Sequence, residues 1–269
     1  MNRQEIYNEI NTKLLTLLKQ GTLPWRKSWK TGIPTNLKSK RPYQGINYIS
    51  LSMLNYASPY YVTYKQCEEM GGRIKPGQKG NIIIFWKIVE VPTNDESEDV
   101  RSVPYIRYTY AFNITQTTLY RDEIIKPARD HSDIISGITK DVMIRHNTMK
   151  CFYSPGEDVI YIPNVNMFDS EKEYYSALFH EAIHATGNKN RLNRFSTIDK
   201  VKEELVAEIG SSYLCSIVGI APSTIDNQAA YIASWIKRAA TDKTLFTSAA
   251  ILAQHAVDYI MKCEPNHIA

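Results

Sequence analysis

His180-Glu181-Ala182-Ile183-His184 sets two imidazoles four residues apart with a carboxylate between them. On a helix, positions i and i+4 share a face, so both rings can converge on one ion. Glu181 then lies where it can take a proton from a water held by that ion. A catalytic zinc takes three protein ligands and keeps one position open. The third is sought in Glu203-Glu204-Leu205-Val206-Ala207-Glu208, where Glu204 and Glu208 stand one helical turn apart on one face. The bland alternative for these glutamates is an acidic helix start favoured by the helix dipole.

Two helices must carry this chemistry. Ser170 and Glu173 have capping-box spacing ahead of an apolar-periodic run, and Gly187 is a natural stop, so the histidines fall within a helix. A second helix opens at Glu203 and runs to about Gly219. Glu204 follows His184 by twenty residues, a spacing that resembles the gluzincin class of zinc peptidases. The resemblance implies that Glu204 is the third ligand and that Glu208 receives the free N–H of a ligand histidine, orienting its ring. Glu203 points elsewhere and reads as a solvated charge. Ahead of the metal helix, Cys151 to Ile162 forms a hairpin around Ser154–Asp158, whose strand Val159–Ile162 is a candidate edge for pairing with an extended peptide. A simple core hairpin would look the same. His131, His146, His255 and His267 have no ligand spacing.

The other half of the chain carries different chemistry. Between Ile10 and Cys67 there is no Asp or Glu, yet there are nine Lys/Arg and eight Trp/Tyr. Phosphates need cations, and unpaired bases need flat rings to stack on, so this composition points to single-stranded nucleic acid. The candidate contacts are Trp25, Arg26, Lys27, Trp29, Lys30, Asn36, Lys38, Lys40, Arg41, Tyr43 and Asn47. Some of the aromatics must instead be core, Tyr48, Tyr56 and Tyr61 among them. Nothing has the pattern of a helix-turn-helix or zinc finger.

Charge divides the chain in the same place. Residues 1–126 hold 18 Lys/Arg against 11 Asp/Glu, a net +7, and residues 127–269 hold 14 against 17, a net −3. The elements expected in the first part are a helix on Ile6, Ile10, Leu14 and Leu18 ending at Gly21, helices over 46–56 and 65–70, and a β-meander from Gly80 to Phe112 with an acidic tip. Residues 121–135 read as a linker. The fold class is therefore α+β, with a basic domain over 1–126 and a mostly helical domain with a small sheet over 127–269. Four widely spaced cysteines without a CxxC pair are expected to stay reduced. No apolar run approaches the ~20 residues of a membrane helix, and the polar N-terminus has no signal core. A cytoplasmic location is expected.

The order of short motifs also points to a family. Pro24-Trp25, Ile33-Pro34-Thr35-Asn36, Tyr43-Gln44-Gly45-Ile46-Asn47, Tyr64-Lys65-Gln66 and Gly77-Gln78-Lys79-Gly80 precede Phe152-Tyr153-Ser154-Pro155. His180-Glu181, Arg191-Leu192-Asn193-Arg194, Glu203 through Glu208 and Ala230 through Trp235 follow. The chain resembles the ArdC-type antirestriction proteins of plasmids and other mobile elements along its whole length. That resemblance implies a single-stranded-DNA-binding domain followed by a zincin-like metallopeptidase domain, with zinc as cofactor and protection of incoming DNA from host restriction as the role. Two other functions fit the same residues. One is a zinc peptidase acting on a regulatory protein, and the other a DNA-binding protein with a non-catalytic metal. Partners beyond DNA would be a peptide substrate or components of a restriction system.

Overall fold

The stripe Ile6, Ile10, Leu14, Leu18 forms α1 (Arg3–Lys19), buried along its whole apolar face. The computed structural model describes residues 3–27, 32–54, 56–92, 100–121, 131–222 and 228–261. A 3-10 turn, Pro24–Lys27, leads to α2 (Gly45–Ser52), which stops short of the expected residue 56. The chain must become extended before Pro59 and the strand that follows. α3 (Tyr64–Glu69) starts at Thr63, whose hydroxyl and the Gln66 side chain form a reciprocal capping box.

Strands β1 (Thr35–Asn36), β2 (Tyr60–Thr63), β3 (Asn81–Pro92) and β4 (Val100–Asn113) form one sheet in the order β1-β2-β4-β3. β3 and β4 pair as one long antiparallel ladder rather than a meander of several strands, in register from Asn81–Ala111 to Pro92–Val100. The acidic tip, residues 93–99, lies outside the described residues. β3 is an edge, and α2 seals part of it. The Asn47 side-chain amide donates to the Ile84 carbonyl at 2.7 Å and accepts from the Ile84 N–H at 2.8 Å, standing in for a missing strand.

The second half opens with α4 (His131–Thr139) and a three-stranded sheet of β5 (Met143–Arg145), β6 (Phe152–Ser154) and β7 (Val159–Tyr161). Its order is β5-β7-β6. β7 is thus the central strand and not the candidate edge suggested by its position before the metal helix; β5 and β6 flank it on either side. Residues 131–135 belong to α4 rather than to a linker, because Ile134 and Ile138 are buried and the Gly137 backbone lies against the Ile260 carbonyl. Residues 122–130 lie outside the described residues.

Four helices complete the chain: α5 (Glu171–Thr186), α6 (Lys200–Val218), α7 (Gln228–Thr241) and α8 (Leu245–Met261). α6 begins ahead of Glu203, because Asp199 caps it by accepting from the Lys202 N–H at 3.0 Å. Most of α6 is buried, as expected of a helix enclosed by others. It approaches α5 closely at Gly210, where a Cβ would meet Ile183 Cδ1 at 2.8 Å.

The two halves share one apolar core. It runs from Ile6 on α1 through Trp25 and Tyr48 to Trp235 and Ile260. Trp25 presents its edge to Trp235 at 5.8 Å, and Tyr48 packs on Tyr213 at 4.5 Å. A second, smaller cluster, Tyr43, Leu51, Tyr61, Ile83 and Ala111, lies wholly before residue 126. No helix among the described residues is long and apolar enough to cross a membrane.

Candidate metal centre

His180 and His184 lie on the last turns of α5, and Glu204 lies one turn into α6. Close packing of the two helices brings one ligand atom from each of the three within 4.8 Å of one another. The Nε2 atoms of the histidines are 3.2 Å apart, and Glu204 Oε2 is 3.7 Å from each. Ligand bonds of roughly 2.0–2.2 Å around a tetrahedral ion imply ligand–ligand edges close to these values. The residues fit a metal, with two ring nitrogens and one carboxylate oxygen on three sides.

Behind the ligands stand two carboxylates, one hydrogen-bonded to its histidine and one at ion-pair distance. His184 Nδ1 donates to Glu203 Oε1 at 3.1 Å. Arg194 in turn grips Glu203 through Nε at 2.9 Å and Nη2 at 2.7 Å, while also donating to the Ile183 carbonyl and the Thr186 hydroxyl at the end of α5. On the other side, Glu208 Oε1 lies 3.6 Å from His180 Nδ1, and Arg26 donates to Glu208 at 3.1 Å. Each histidine thus has a carboxylate behind its outer nitrogen, and each carboxylate an arginine. Such outer partners set ring orientation and raise ligand basicity.

Glu203 is therefore not the solvated charge that its position suggested. It is 6% exposed, because it faces His184 and Arg194, while Lys200 and Lys202 take the water-facing side of that turn. Burial alone would raise its proton affinity, yet Arg194 and then His184 hold the carboxyl below the usual range. Burial also works against charge on His184, but Glu203, Glu204 and Glu181 outweigh it and push the imidazole up to about 10. The same opposition holds Glu204 far below the usual carboxylate range: burial raises it, and the two histidines more than reverse this. A pocket of this kind is built to hold positive charge.

Glu181 follows His180 on α5 and is 8% exposed. Its Oε2 accepts the Tyr153 backbone N–H of β6 at 2.8 Å, which fixes the carboxylate against the strand. Tyr153 is held in place from its other end. Its hydroxyl donates to Asp158 at 2.6 Å and accepts from Asn188 at 2.7 Å and Arg191 at 3.1 Å. Tyr231 of α7 was not singled out from sequence, although it lies in the Ala230–Trp235 motif. Burial first, and then the charge and hydrogen bond of Glu204, push its phenol up to about 12, so it stays protonated beside the site.

The basic half gathers differently. Trp25 has no exposed surface and serves as a core residue against Trp235, so its ring is not offered to a base. Tyr43 is 7% exposed and receives the Asn36 side-chain amide at 3.2 Å. Asn36 also caps its own loop by accepting from the Lys38 and Ser39 N–H groups. Asn47 is committed to Ile84 and Arg26 to Glu208. These five were expected at DNA. Trp25 and Tyr43 are buried, whereas Arg26, Asn36 and Asn47 are half-buried and bonded to the protein itself, and nothing in local spacing distinguishes a core ring from a surface one. Lys38, Lys40 and Arg41 are exposed on one loop, with Lys38 paired to Glu69 at 2.5 Å and Lys40 over the Tyr60 ring. Lys27 ends the 3-10 turn, and Trp29 and Lys30 lie outside the described residues.

Comparison with known proteins follows the same division. Residues 4–112 match the model of the N-terminal domain of anti-restriction factor ArdC, and residues 133–252 match a zincin-like metallopeptidase model. The metal-free crystal structure of antirestriction protein ArdC from plasmid R388 superposes with a TM-score of 0.83 at 31% identity, covering 96% of this chain and 97% of that one. Its Mn(II)-bound structure gives 0.78 at 30%, covering 97% and 98%. DNA primase TraC of Escherichia coli is 31% identical over 300 residues, which span 99% of this chain and 28% of the primase. The uncharacterized protein y4eC of Sinorhizobium fredii (strain NBRC 101917 / NGR234) is 25% identical over 281 residues, 95% of this chain and 91% of that protein. With both of its parts matched in order, and a homologue aligned over nearly the full length of both chains, the chain belongs to the ArdC antirestriction family.

Proposed function

We propose that this protein binds single-stranded DNA through its basic half and holds a zinc ion at His180, His184 and Glu204, acting as an antirestriction factor for incoming DNA. The convergence of those three ligands, with Glu181 adjacent, carries the reading. Matches to the ArdC N-terminal domain and to the R388 protein support the DNA partner and the role. A bound zinc would supply Lewis acidity toward a substrate oxygen and lower the proton affinity of a coordinated water. Glu181 would accept the proton and deliver it to the departing amine of a peptide. The Tyr153 amide occupies Oε2 and orients the carboxylate for that task. Tyr231, protonated beside Glu204, is the candidate hydrogen-bond donor for a developing oxyanion.

A non-catalytic metal centre is the second reading. One observation favours it: Glu181 also has a structural role, tying β6 to α5. Glu181→Gln keeps an acceptor for the Tyr153 amide and removes the base. Metal analysis of the purified protein is expected to find about one zinc per chain in the wild type and in Glu181→Gln, and little in His184→Ala or Glu204→Ala. Hydrolysis of a quenched-fluorescent peptide library by wild type but not by Glu181→Gln supports the peptidase. No turnover by zinc-loaded wild type favours the second reading, and full zinc in Glu204→Ala removes Glu204 as a ligand.

A further inference from the structure

The basic half has an open cleft that none of the buried candidates lines. It has a volume of about 970 Å³ and lies between α1, the start of α3 and the β3–β4 hairpin. That volume suits a nucleotide-sized ligand. Lys13, Lys65 and Lys79 reach it from three separate elements, and Glu9 is its one acidic lining residue among the described residues. Tyr64 and Tyr110 stand in its wall with 57% and 44% of their surface exposed. A single exposed ring needs no explanation. Two in one cleft, among three ammonium groups, make a stacking platform with an electrostatic rim.

The aromatic floor depends on one glycine. A Cβ at Gly80 would sit 2.7 Å from Tyr110 Cβ and 2.9 Å from Phe112 Cζ, so the side chains of β4 lie across a bare backbone. The lysines are only loosely engaged. Lys13 pairs with Glu9 at 2.7 Å in solvent, and Lys65 is 3.9 Å from Glu69. Exposed pairs of this kind contribute little and exchange readily for a phosphate.

We infer that this cleft seats an unpaired base of single-stranded DNA between Tyr64 and Tyr110, with the flanking phosphates on Lys13, Lys65 and Lys79. The inference rests on the proposed binding of single-stranded DNA and gives that binding a location. A base inside a duplex has no free face for either ring, so double-stranded DNA is the weaker ligand.

The test uses the full chain and a fluorescein-labelled oligo-dT 20-mer, followed by anisotropy at 50 and 200 mM salt. Tyr64→Ala and Tyr110→Ala should each weaken binding by about 5- to 100-fold, as expected for a lost base–ring stack. Lys79→Ala should lower affinity and flatten the salt dependence by about one unit of slope. Phe85→Ala removes an exposed ring of the same hairpin outside the cleft and should change nothing. Thermal melts within a few degrees of wild type show that the variants are folded. If wild type binds and all three cleft variants stay within twofold of it, the cleft is overturned while DNA binding stands. If wild type fails to bind at 50 mM salt, the DNA reading falls, and the cleft with it. Equal affinity for a duplex of the same length, lost in the same variants, overturns the unpaired-base assignment alone.

Discussion

The α5–α6 pair and the segment from Trp25 to Asn47 are the two parts of the chain richest in chemical side chains, and they relate to their sequences in opposite ways. In the helix pair, His180 and His184 share a face by spacing and meet in space, and Glu204, which the gluzincin resemblance implied, joins them from α6. In the basic segment, the side chains best suited to DNA by type, Trp25, Arg26, Tyr43 and Asn47, are spent on the protein's own interior. A helix converts sequence spacing directly into geometry. A loop-rich surface has no such period, and only tertiary packing decides which rings stay outside.

The largest effect that tests this contrast belongs to Trp25. Its ring is fully buried and edge-on to Trp235, so Trp25→Ala should lower unfolding stability by about 3–5 kcal/mol through lost burial and a cavity. Urea unfolding of the full chain measures it. Unchanged stability combined with weaker DNA binding would return Trp25 to the surface and erase the contrast.

Glu203 should rank close behind. Removing it as Glu203→Ala leaves the Arg194 guanidinium, 2% exposed, without its counter-ion. Breaking a buried pair from one side costs about 3–5 kcal/mol. The same change frees the His184 ring from its outer partner, so zinc affinity should fall as well. A thermal melt paired with a competitive zinc titration reads both. A variant that keeps its melting point and its zinc would show that neither Arg194 nor His184 depends on Glu203.

Legibility follows the same physics. The helix bearing His180 and His184, its Ser170 cap and its Gly187 stop depend on neighbours within a few residues, and they appear where expected. Glu208 comes from the resemblance and not from spacing alone, and its Oε1 lies 3.6 Å from His180 Nδ1. Glu203 was misread because its burial comes from α5 and from Arg194, neither of which its own spacing encodes. The sequence leaves β7 open between an edge and a core strand, because the pairing of β5 with β7 that makes it central is a parallel contact between distant segments. The α+β class was readable from periodicity, whereas the single core joining α1, α2, α7 and α8 was not, since amphipathic stripes do not name their partners.

Arg26 joins the two regions and should show an intermediate effect. It comes from the basic segment but ends on Glu208, behind His180. Arg26→Ala should weaken zinc binding by up to about 10-fold, since Arg26 reaches His180 only through Glu208 and loss of a direct outer partner costs about 10-fold or more. Arg26→Lys should recover part of it, because a lysine restores the charge without the planar fork. If zinc affinity is untouched in both and the oligonucleotide affinity drops instead, Arg26 belongs to DNA.

The smallest effect lies at the β6–β7 turn, where Asp158 supports Tyr153 and, through the Tyr153 amide, Glu181. Asp158 binds Arg191 and accepts from the Tyr153 hydroxyl. The Arg191 hydrogen bond lowers the carboxyl's pKa, burial opposes it, and the Tyr153 hydroxyl lowers it further, leaving the folded value below that of an ordinary aspartate. A depressed folded value means that the ionised form stabilises the fold. Its contribution is fully present above the unfolded pKa of about 3.9 and is lost as pH falls through the lowered folded value. With the side chain 32% exposed, solvent screening limits the effect to about 1 kcal/mol. Asp158→Asn should therefore melt roughly 2–4 °C below wild type at pH 7. The gap should hold down to about pH 5 and close between about pH 4 and 2, where the wild-type carboxyl takes up its proton. Zinc content should not change at pH 7, because the turn acts on Glu181 and not on a ligand. A gap that persists at pH 2.5 would assign the loss to the shape of the amide rather than to charge. Loss of zinc in Asp158→Asn would mean that the turn and the metal centre are one cooperative unit.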